Sequence, residues 1–412
     1  MNLLRTPRGR MILFAWLYAS EGAPIGFIWW ALPVLLRDAG LETPAITSLT
    51  ALLVLPWIGK FLWAPLVDTL RTARIGFRQW ILGAQTLMGV ALLPLLWIDP
   101  ADHLRWWMLF LLLHGFAAAT QDVAIDALAI NSVPPSERGS VNGAMLAGKL
   151  IGRSLFGGGS LLVAGAFGLP GLFLCVIAFV WLCMTAMLFI REPAMTPPHD
   201  GAFAEFRRHL VLAFRQRATW LGIAFALTSA AGFEAAGALA GPYFIDRSIP
   251  LETIGRFFGL VVVVATVGGG LLGGKLSDRF GRVPSVAAFL VGFVLVITTA
   301  GLMDQRMFAT EPSTTAILTL FGLMYFFYGL FIAASYALFM DLTNPRIGGT
   351  QFSTFMAATN GCESWSAAVG GRIVGEAGRY GMAFIILSLV SLLSLPILLA
   401  IARVRARRVN AD

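Results

Sequence analysis

The chain has 412 residues, of which 58% are hydrophobic and 13% are charged, and its mean hydropathy is +0.78. Soluble domains average about 45–50% apolar and about 25% charged residues, so this composition excludes a soluble protein and indicates one that crosses a membrane repeatedly. The formal net charge of +8 does not indicate nucleic-acid binding, because the basic residues are spread over short loops between apolar stretches.

The predicted elements are membrane-spanning helices, each an apolar stretch of about 20 residues. A basic start is followed by an apolar stretch too long for the core of a signal peptide, so we expect a retained first helix. We predict twelve spans, at 11–36, 45–68, 77–98, 105–131, 140–167, 169–190, 219–245, 254–276, 284–303, 315–341, 349–375 and 381–402. The predicted fold class is therefore an all-α polytopic membrane protein with 12 transmembrane helices.

Lysine and arginine residues are distributed unevenly between the two sets of loops. The termini and the loops on their side carry most of them, including Arg8, Arg74, Arg138, Arg207 and Arg408. The opposite loops carry only Arg37, Arg105, Arg247, Arg256, Arg306 and Arg379. Because positively charged loops stay in the cytoplasm, and an even number of spans places both ends on one side, we expect both termini to be cytoplasmic.

The longest polar connection, 191–218, divides the predicted spans into two sets of six. Its proline-rich start predicts a linker, and 203–217 is typical of a short basic amphipathic helix on the inner membrane surface, although a charged tether fits equally well. We therefore predict an N-terminal six-helix bundle at 1–190, a cytoplasmic linker at 191–218 and a C-terminal six-helix bundle at 219–412.

Three segments of the first half have counterparts in the second half. The segment 32–46 matches 241–255, the segment 59–71 matches 273–282, and the segment 130–140 matches 340–350. Repetition at about half the chain length is typical of transporters whose binding site lies between the repeats near the membrane midplane.

Within the segment 116–160, four ionisable side chains lie inside the predicted apolar spans: Asp122, Asp126, Lys149 and Arg153. The two acids lie on the predicted fourth span and the two bases on the fifth, each pair at a spacing of four and hence on one helix face. Ionisable groups in hydrocarbon are costly and usually border a cavity or a partner. A structural ladder of ion pairs and a substrate site explain the acids equally well. Arg153 has no acid at its own depth on the fourth span and suits a substrate carboxylate.

The predicted spans also contain isolated carboxylates and amides. Glu21, Glu234 and Glu363 are candidates for proton coupling, because a carboxyl group in low-dielectric surroundings can exchange protons near neutral pH. A hydrogen-bonded structural carboxyl is an equal alternative for each, and Glu21 is the first choice because a glycine and a proline follow it. Gln121 and Asn360 are candidates for substrate binding or for joining helices. Tryptophans near the span ends, such as Trp29 and Trp30, indicate an aromatic belt at the membrane interface.

The segment 273–282 reads GGKLSDRFGR and resembles the loop motif of the major facilitator superfamily. The resemblance implies the major facilitator fold, with two six-helix bundles and inverted repeats. It also implies a cytoplasmic gate in which an acid caps a neighbouring helix and pairs with loop arginines. Gate residues are then Gly274, Asp278, Arg279 and Arg282, together with Asp68 and Arg71 in a degenerate first-half copy in which Ala64 stands where glycine is expected.

The segments TQDVAIDA (120–127) and PSERG (135–139) resemble the peptide/acetyl-coenzyme A transporter branch of that superfamily, which includes AmpG-like muropeptide permeases and siderophore permeases. KFLWAPLVD (60–68) and GTQF (349–352) are similar to the same branch. The resemblance implies proton-coupled import of an amphipathic anionic solute, a muropeptide or a siderophore, across a bacterial inner membrane by alternating access. The expected partners are this solute, protons and the lipid bilayer, and we expect a monomer.

Two other functional classes stay open. An exporter of drugs or metabolites would have the same fold, and uptake by inside-out vesicles would distinguish it. A membrane-embedded acyltransferase would need a catalytic base, but of the four histidines only His114 lies within a predicted span. The cysteines Cys175, Cys183 and Cys362 fit neither a disulfide framework nor a metal site. We therefore predict a protein that is not an enzyme, with no catalytic residue, no metal and no cofactor.

Overall fold

The protein is described by a computed structural model that covers residues 2–69, 76–134, 138–192, 202–305, 312–342, 348–375 and 377–409. Regular structure in these ranges is helical, which confirms the all-α fold class. The helices are α1 (Pro7–Gly26), α2 (Leu32–Asp38), α3 (Thr43–Leu53), α4 (Leu55–Thr69), α5 (Phe77–Leu92), α6 (Pro100–Ser132), α7 (Arg138–Phe156), α8 (Gly158–Met184), α9 (Ala202–Arg215), α10 (Arg217–Ser229), α11 (Ala231–Asp246), α12 (Leu251–Arg256), α13 (Val262–Phe280), α14 (Arg282–Asp304), α15 (Thr314–Leu342), α16 (Gly348–Val374), α17 (Tyr380–Leu392) and α18 (Ser394–Val409).

Several of these helices are long and apolar enough to cross a membrane. Within the described ranges there are nine such segments: Pro7–Asp38, Phe77–Leu96, Asp102–Ala129, Ala164–Phe189, Arg217–Asp246, Leu251–Ser277, Arg282–Asp304, Thr314–Phe339 and Tyr380–Val404. The other three predicted spans, 45–68, 140–167 and 349–375, coincide with helices that contain ionisable residues such as Lys60, Lys149 and Glu363. The protein is therefore a multi-pass membrane protein, and the total of twelve spans stays a prediction.

Two of the apolar segments change locally from α to π geometry. One π turn, Phe27–Ala31, joins α1 to α2 and follows Pro24, and the other, Phe257–Val261, joins α12 to α13. A proline inside a helix removes one backbone hydrogen bond, which favours such irregularity. π turns within α-helices frequently mark functional sites.

Glycine sets the break inside α8. Gly168 has a φ of +59°, in the left-handed region that glycine adopts without a steric penalty. The break coincides with the predicted boundary between the spans 140–167 and 169–190, so sequence and structure agree on where the chain leaves one helix and enters the next.

The chain forms two compact units. Unit 1 comprises 1–39, 62–203 and 250–259, and unit 2 comprises 40–61, 204–249 and 260–412. Each unit includes helices from both halves of the sequence, since α12 packs against α8 in unit 1 and α3 packs against α16 in unit 2. The division into the bundles 1–190 and 219–412 stays a prediction. Residues 193–201 of the predicted linker lie outside the described ranges, and α9 covers most of its predicted amphipathic segment.

In unit 1, α1 and α7 pack backbone against backbone. A Cβ atom at Gly22 would overlap the carbonyl oxygen of Lys149, and one at Gly26 would overlap that of Arg153. Two glycines of α7 approach the α1 backbone in the same way. Small residues at a helix crossing permit this close approach. The crossing therefore brings polar side chains of α1 within reach of those of α7.

Candidate functional site

A partly buried ion pair lies where α1 crosses α7. Lys149 Nζ is 2.7 Å from Glu21 Oε1, and the side chain of Glu21 is 1% exposed whereas that of Lys149 is 33% exposed. The ammonium compensates a carboxylate that would otherwise be too costly to bury. The interpretation of Glu21 as an isolated carboxyl was therefore wrong, because Gly22 lets α7 approach until the lysine reaches the carboxylate.

Tyr18 connects this ion pair to the acids of α6. Its hydroxyl donates a hydrogen bond to Asp126, and the Lys149 ammonium lies 5.9 Å from the centre of its ring. Asp122 is 5% exposed, and its carboxylate, like that of Glu21, is close enough to act electrostatically on the Tyr18 hydroxyl. We name Tyr18, Glu21, Asp122, Asp126 and Lys149 the charge cluster. Sequence reasoning missed Tyr18, although it precedes Glu21 by three residues and so shares its helix face.

A hydrogen-bond network lies beside the charge cluster. Ser20 Oγ accepts hydrogen bonds from Gln85 Nε2 and Gln121 Nε2, both at 3.0 Å, and donates to the Leu17 carbonyl at 2.6 Å. A hydroxyl can donate one hydrogen bond and accept two, so the hydrogen-bonding capacity of the Ser20 hydroxyl is filled. Gln121 is completely buried and joins α6 to α1 in this structure.

Arg153 lies one helical turn after Lys149 on α7, and an aromatic ring holds it. Its guanidinium carbon is 4.2 Å from the centre of the Trp30 ring, and its Nε is buried without a hydrogen-bond partner. In the described part of the chain, the structure records no ion pair for Arg153. An aromatic face attracts the guanidinium without neutralising it, so the positive charge is available to an anionic ligand. Assigning Trp30 to an aromatic belt was wrong, because its side chain is only 5% exposed.

A second polar cluster lies in unit 2. Tyr328 of α15 donates a hydrogen bond of 3.0 Å to Glu234 of α11. Glu234 and Glu363 are both close enough to the Tyr336 hydroxyl to act on it electrostatically, as is Lys60. The structure thus brings together two of the predicted proton-coupling residues, and neither is isolated.

The predicted site residues divide between the two units. Unit 1 contains Glu21, Gln121, Asp122, Asp126, Lys149 and Arg153, and unit 2 contains Glu234, Asn360 and Glu363. Asn360 precedes Glu363 by three residues on α16, and both side chains are half-buried.

The predicted gate motif is described in part. Outside the description lie the whole of Arg71 and the side chains of Asp68 and Asp278. Arg282 Nη1 donates to Ser277 Oγ at 2.6 Å, and Arg282 Nε lies 3.8 Å from Asp341 Oδ2. Arg279 lies over the ring of the next residue, and a Cβ at Gly274 would meet open space. The described residues of the motif therefore connect the turn between α13 and α14 to the end of α15.

The sequence is similar to known membrane transporters. Residues 14–303 match the model of the Major Facilitator Superfamily. The chain is 25% identical over 390 residues to a putative transporter AmpG 4 of Rickettsia conorii, covering 88% of this chain and 89% of the relative. It is 24% identical over 371 residues to an anhydromuropeptide permease of Escherichia coli K12, covering 87% of this chain and 72% of the relative.

A solved structure agrees on the fold. The crystal structure of the nucleoside transporter NupG aligns with a TM-score of 0.75, at 11% sequence identity, over 95% of this chain and 99% of that one. Identity this low supports the fold alone. Because the family model covers well over half of the sequence, the chain belongs to the Major Facilitator Superfamily and is a membrane transporter rather than an enzyme.

Proposed function

We propose that the chain is a proton-coupled importer of an anionic, amphipathic solute of the muropeptide class across a bacterial inner membrane. The observation that carries the proposal is Arg153, a cation on α7 that an indole, rather than a carboxylate, contacts in the described chain. The relatives named AmpG and anhydromuropeptide permease support the solute class. They support a muropeptide more than a siderophore.

Arg153 is the proposed binding group for a carboxylate of the solute. A guanidinium donates two parallel N–H bonds to a carboxylate, which adds orientation to charge attraction. Lys149 is the second proposed cation, since a third of its side chain is exposed. Asp122 and Asp126 balance its charge within the cluster. Asn360 stays a predicted substrate-binding residue.

Glu21 is the proposed proton carrier. While ionised, it holds the Lys149 ammonium at 2.7 Å. Once protonated, it releases that ammonium for a carboxylate of the solute. Proton binding and anion binding then favour each other, which is the coupling that symport requires. Glu234 and Glu363 are proposed as further proton-binding groups in unit 2.

Alternating access is proposed between the bundles 1–190 and 219–412, with both termini in the cytoplasm and the protein acting as a monomer. The repeats in the sequence support this division. The proposed cytoplasmic gate comprises Asp68, Arg71, Gly274, Asp278, Arg279 and Arg282.

Uptake of a radiolabelled anhydromuropeptide by right-side-out membrane vesicles tests the proposal. Wild-type vesicles are expected to accumulate the compound under an inward proton gradient and to lose this accumulation when a protonophore is added. Arg153→Ala is expected to abolish uptake at unchanged membrane expression, because the anion loses its guanidinium. Glu21→Gln is expected to remove the dependence on the proton gradient, because an amide cannot carry the proton.

Arg256→Ala is the matched control, because Arg256 is 73% exposed and pairs with Glu252 on its own helix. This variant is expected to transport at the wild-type rate. Wild-type uptake by Arg153→Ala would remove Arg153 from the site. Accumulation only in inside-out vesicles would replace the importer with an exporter of the same fold.

A further inference from the structure

The ring that holds Arg153 belongs to a larger packed arrangement in unit 1. The guanidinium carbon lies 4.2 Å from the centre of the Trp30 ring, and Nε is buried without a hydrogen-bond partner. A contact between a cation and an aromatic face restrains the guanidinium without using its N–H donors. The donors of Arg153 are thereby kept for an incoming acceptor.

Further contacts fix the Trp30 indole. The side chain is 5% exposed, and its ring stacks on that of Phe258 with centres 5.7 Å apart and planes at 19°. A Cβ atom at Gly157 would lie 2.6 Å from Cε3 of the indole, so the glycine leaves the space that the indole occupies. An indole enclosed in this way has little freedom to change rotamer.

The two stacked rings come from the two π turns. Trp30 lies in the turn Phe27–Ala31 and Phe258 lies in the turn Phe257–Val261. Ser154, the residue after Arg153, donates a hydrogen bond of 2.5 Å to the carbonyl of Gly259 in the second turn. Two residues of α7 are thus connected to the turn Phe257–Val261. Ser154 contacts it directly, and Arg153 contacts it through Trp30.

We propose that Trp30 is a positioning residue for anion binding at Arg153, and that Phe258 in turn fixes Trp30. The inference rests on the proposed function of Arg153 in solute binding. An arginine that is already held in its binding geometry loses less side-chain freedom when a carboxylate binds, so affinity rises without any contact between the indole and the solute. Without the ring, the guanidinium samples several rotamers and the binding geometry is less populated.

Equilibrium binding of a radiolabelled anhydromuropeptide to the purified full-length protein in detergent tests this role. Trp30→Phe keeps an aromatic face, whereas Trp30→Met fills space with a flexible apolar chain. We expect Trp30→Met to raise Kd about tenfold and Trp30→Phe to raise it less than about threefold, because such contacts contribute on the order of 2- to 30-fold. Trp107→Met is the matched control, since Trp107 is buried in unit 1 against Phe173, and its Kd is expected to be unchanged.

Combination with Arg153→Ala separates positioning from packing. If Trp30 acts through Arg153, Trp30→Met has no further effect on Kd in the Arg153→Ala background, whereas a purely structural role weakens binding in both backgrounds. Wild-type affinity of Trp30→Met, together with weak binding by Arg153→Ala, overturns the role of Trp30 alone. Wild-type affinity of Arg153→Ala, or no binding by the wild-type protein, overturns the proposed function and this inference with it.

Phe258→Leu keeps the proposal testable if Trp30→Met does not fold. This variant leaves the indole in place and removes its stacking partner. We expect its Kd to rise about threefold, toward the lower end of the range for aromatic contacts. An unchanged Kd for folded Phe258→Leu overturns the proposed chain of contacts from Phe258 through Trp30 to Arg153.

Discussion

The two partners of the Glu21–Lys149 ion pair are buried to different degrees, and this asymmetry decides what each loses when the pair is broken. Glu21 is 1% exposed, whereas Lys149 is 33% exposed. A buried carboxylate without its counter-ion is strongly unfavourable, while a partly exposed ammonium can be solvated. The stability of the fold therefore depends more on the lysine being present than on the glutamate being ionised.

We predict that Lys149→Met lowers the free energy of unfolding by about 3 kcal/mol, because it leaves the Glu21 carboxylate buried without this ammonium. Glu21→Gln is expected to cost about 1 kcal/mol, because the remaining lysine reaches solvent. The double variant is expected to match Glu21→Gln, since position 21 then carries no charge for the ammonium to compensate. Unfolding in mixed micelles with increasing dodecyl sulfate measures all three, and equal losses for the two single variants would contradict the asymmetry.

Residue types at the site were predictable from the sequence, but their partners were not. Spacing alone placed Lys149 and Arg153 on one face of a helix within an apolar segment. Their partners Glu21 and Trp30 lie more than a hundred residues away in sequence, on α1 and the π turn that follows it. Which of these side chains meet depends on the distance between the two crossing helix backbones. Hydropathy predicts each span separately, so it does not give this distance.

Helix crossings built on glycine recur in both units. Gly22 and Gly26 permit the contact of α1 with α7 in unit 1, and Gly269 permits a comparable contact of α13 with the Phe326 carbonyl of α15 in unit 2. In a membrane, helices gain little from burying apolar side chains, so close backbone packing contributes much of their association. These glycines therefore determine the depth and rotation at which functional side chains meet.

Gly22→Ala is predicted to destabilise the protein by about 1–3 kcal/mol, as expected for an overpacked contact, because the new methyl group overlaps the Lys149 carbonyl. The matched control is Gly83→Ala on α5, where a Cβ meets open space. That change is expected to be neutral or stabilising by up to about 1 kcal/mol, since alanine favours the helix. Melting temperatures of the two purified variants make the comparison, and equal values would contradict the crossing geometry.

Hydropathy predicted some features of the helices and not others. The break at Gly168 coincides with a predicted boundary because a glycine punctuates the apolar run there. The π turns at Phe27–Ala31 and Phe257–Val261 were not predicted. A π turn has one residue more per turn than an α turn, because its backbone hydrogen bond spans five residues instead of four. Amino-acid composition does not indicate where this extra residue is placed.

At the scale of the whole molecule, the units include contacts between helices that lie far apart in sequence. Within unit 2, Ser364 Oγ of α16 donates a hydrogen bond of 2.7 Å to the Ala51 carbonyl of α3. If 1–190 and 219–412 move against each other during transport, as proposed, this contact must break in each cycle.

Cysteines at Ala51 and Ser364 test that motion in a variant whose three native cysteines are replaced by alanine. Cross-linking with a short bifunctional thiosulfonate is predicted to reduce uptake to background, and reduction is predicted to restore it. The matched control pairs Thr298 with Ser388, whose hydroxyls lie 2.9 Å apart and which both belong to the second half. Cross-linking there is expected to leave uptake intact, and full activity of cross-linked 51/364 protein would show that the halves do not separate at this contact.

The π turn between α1 and α2 also affects how relatives of this chain can be compared. Each residue advances a helix by about 100°, so loss of one residue from Phe27–Ala31 would leave Glu21 facing α7 and rotate all later side chains away from their neighbours. A homologous sequence can therefore conserve the tryptophan and the arginine and still lack their contact. The length of this short turn, counted from the glutamate, is the feature by which relatives that share the indole–guanidinium contact can be recognised.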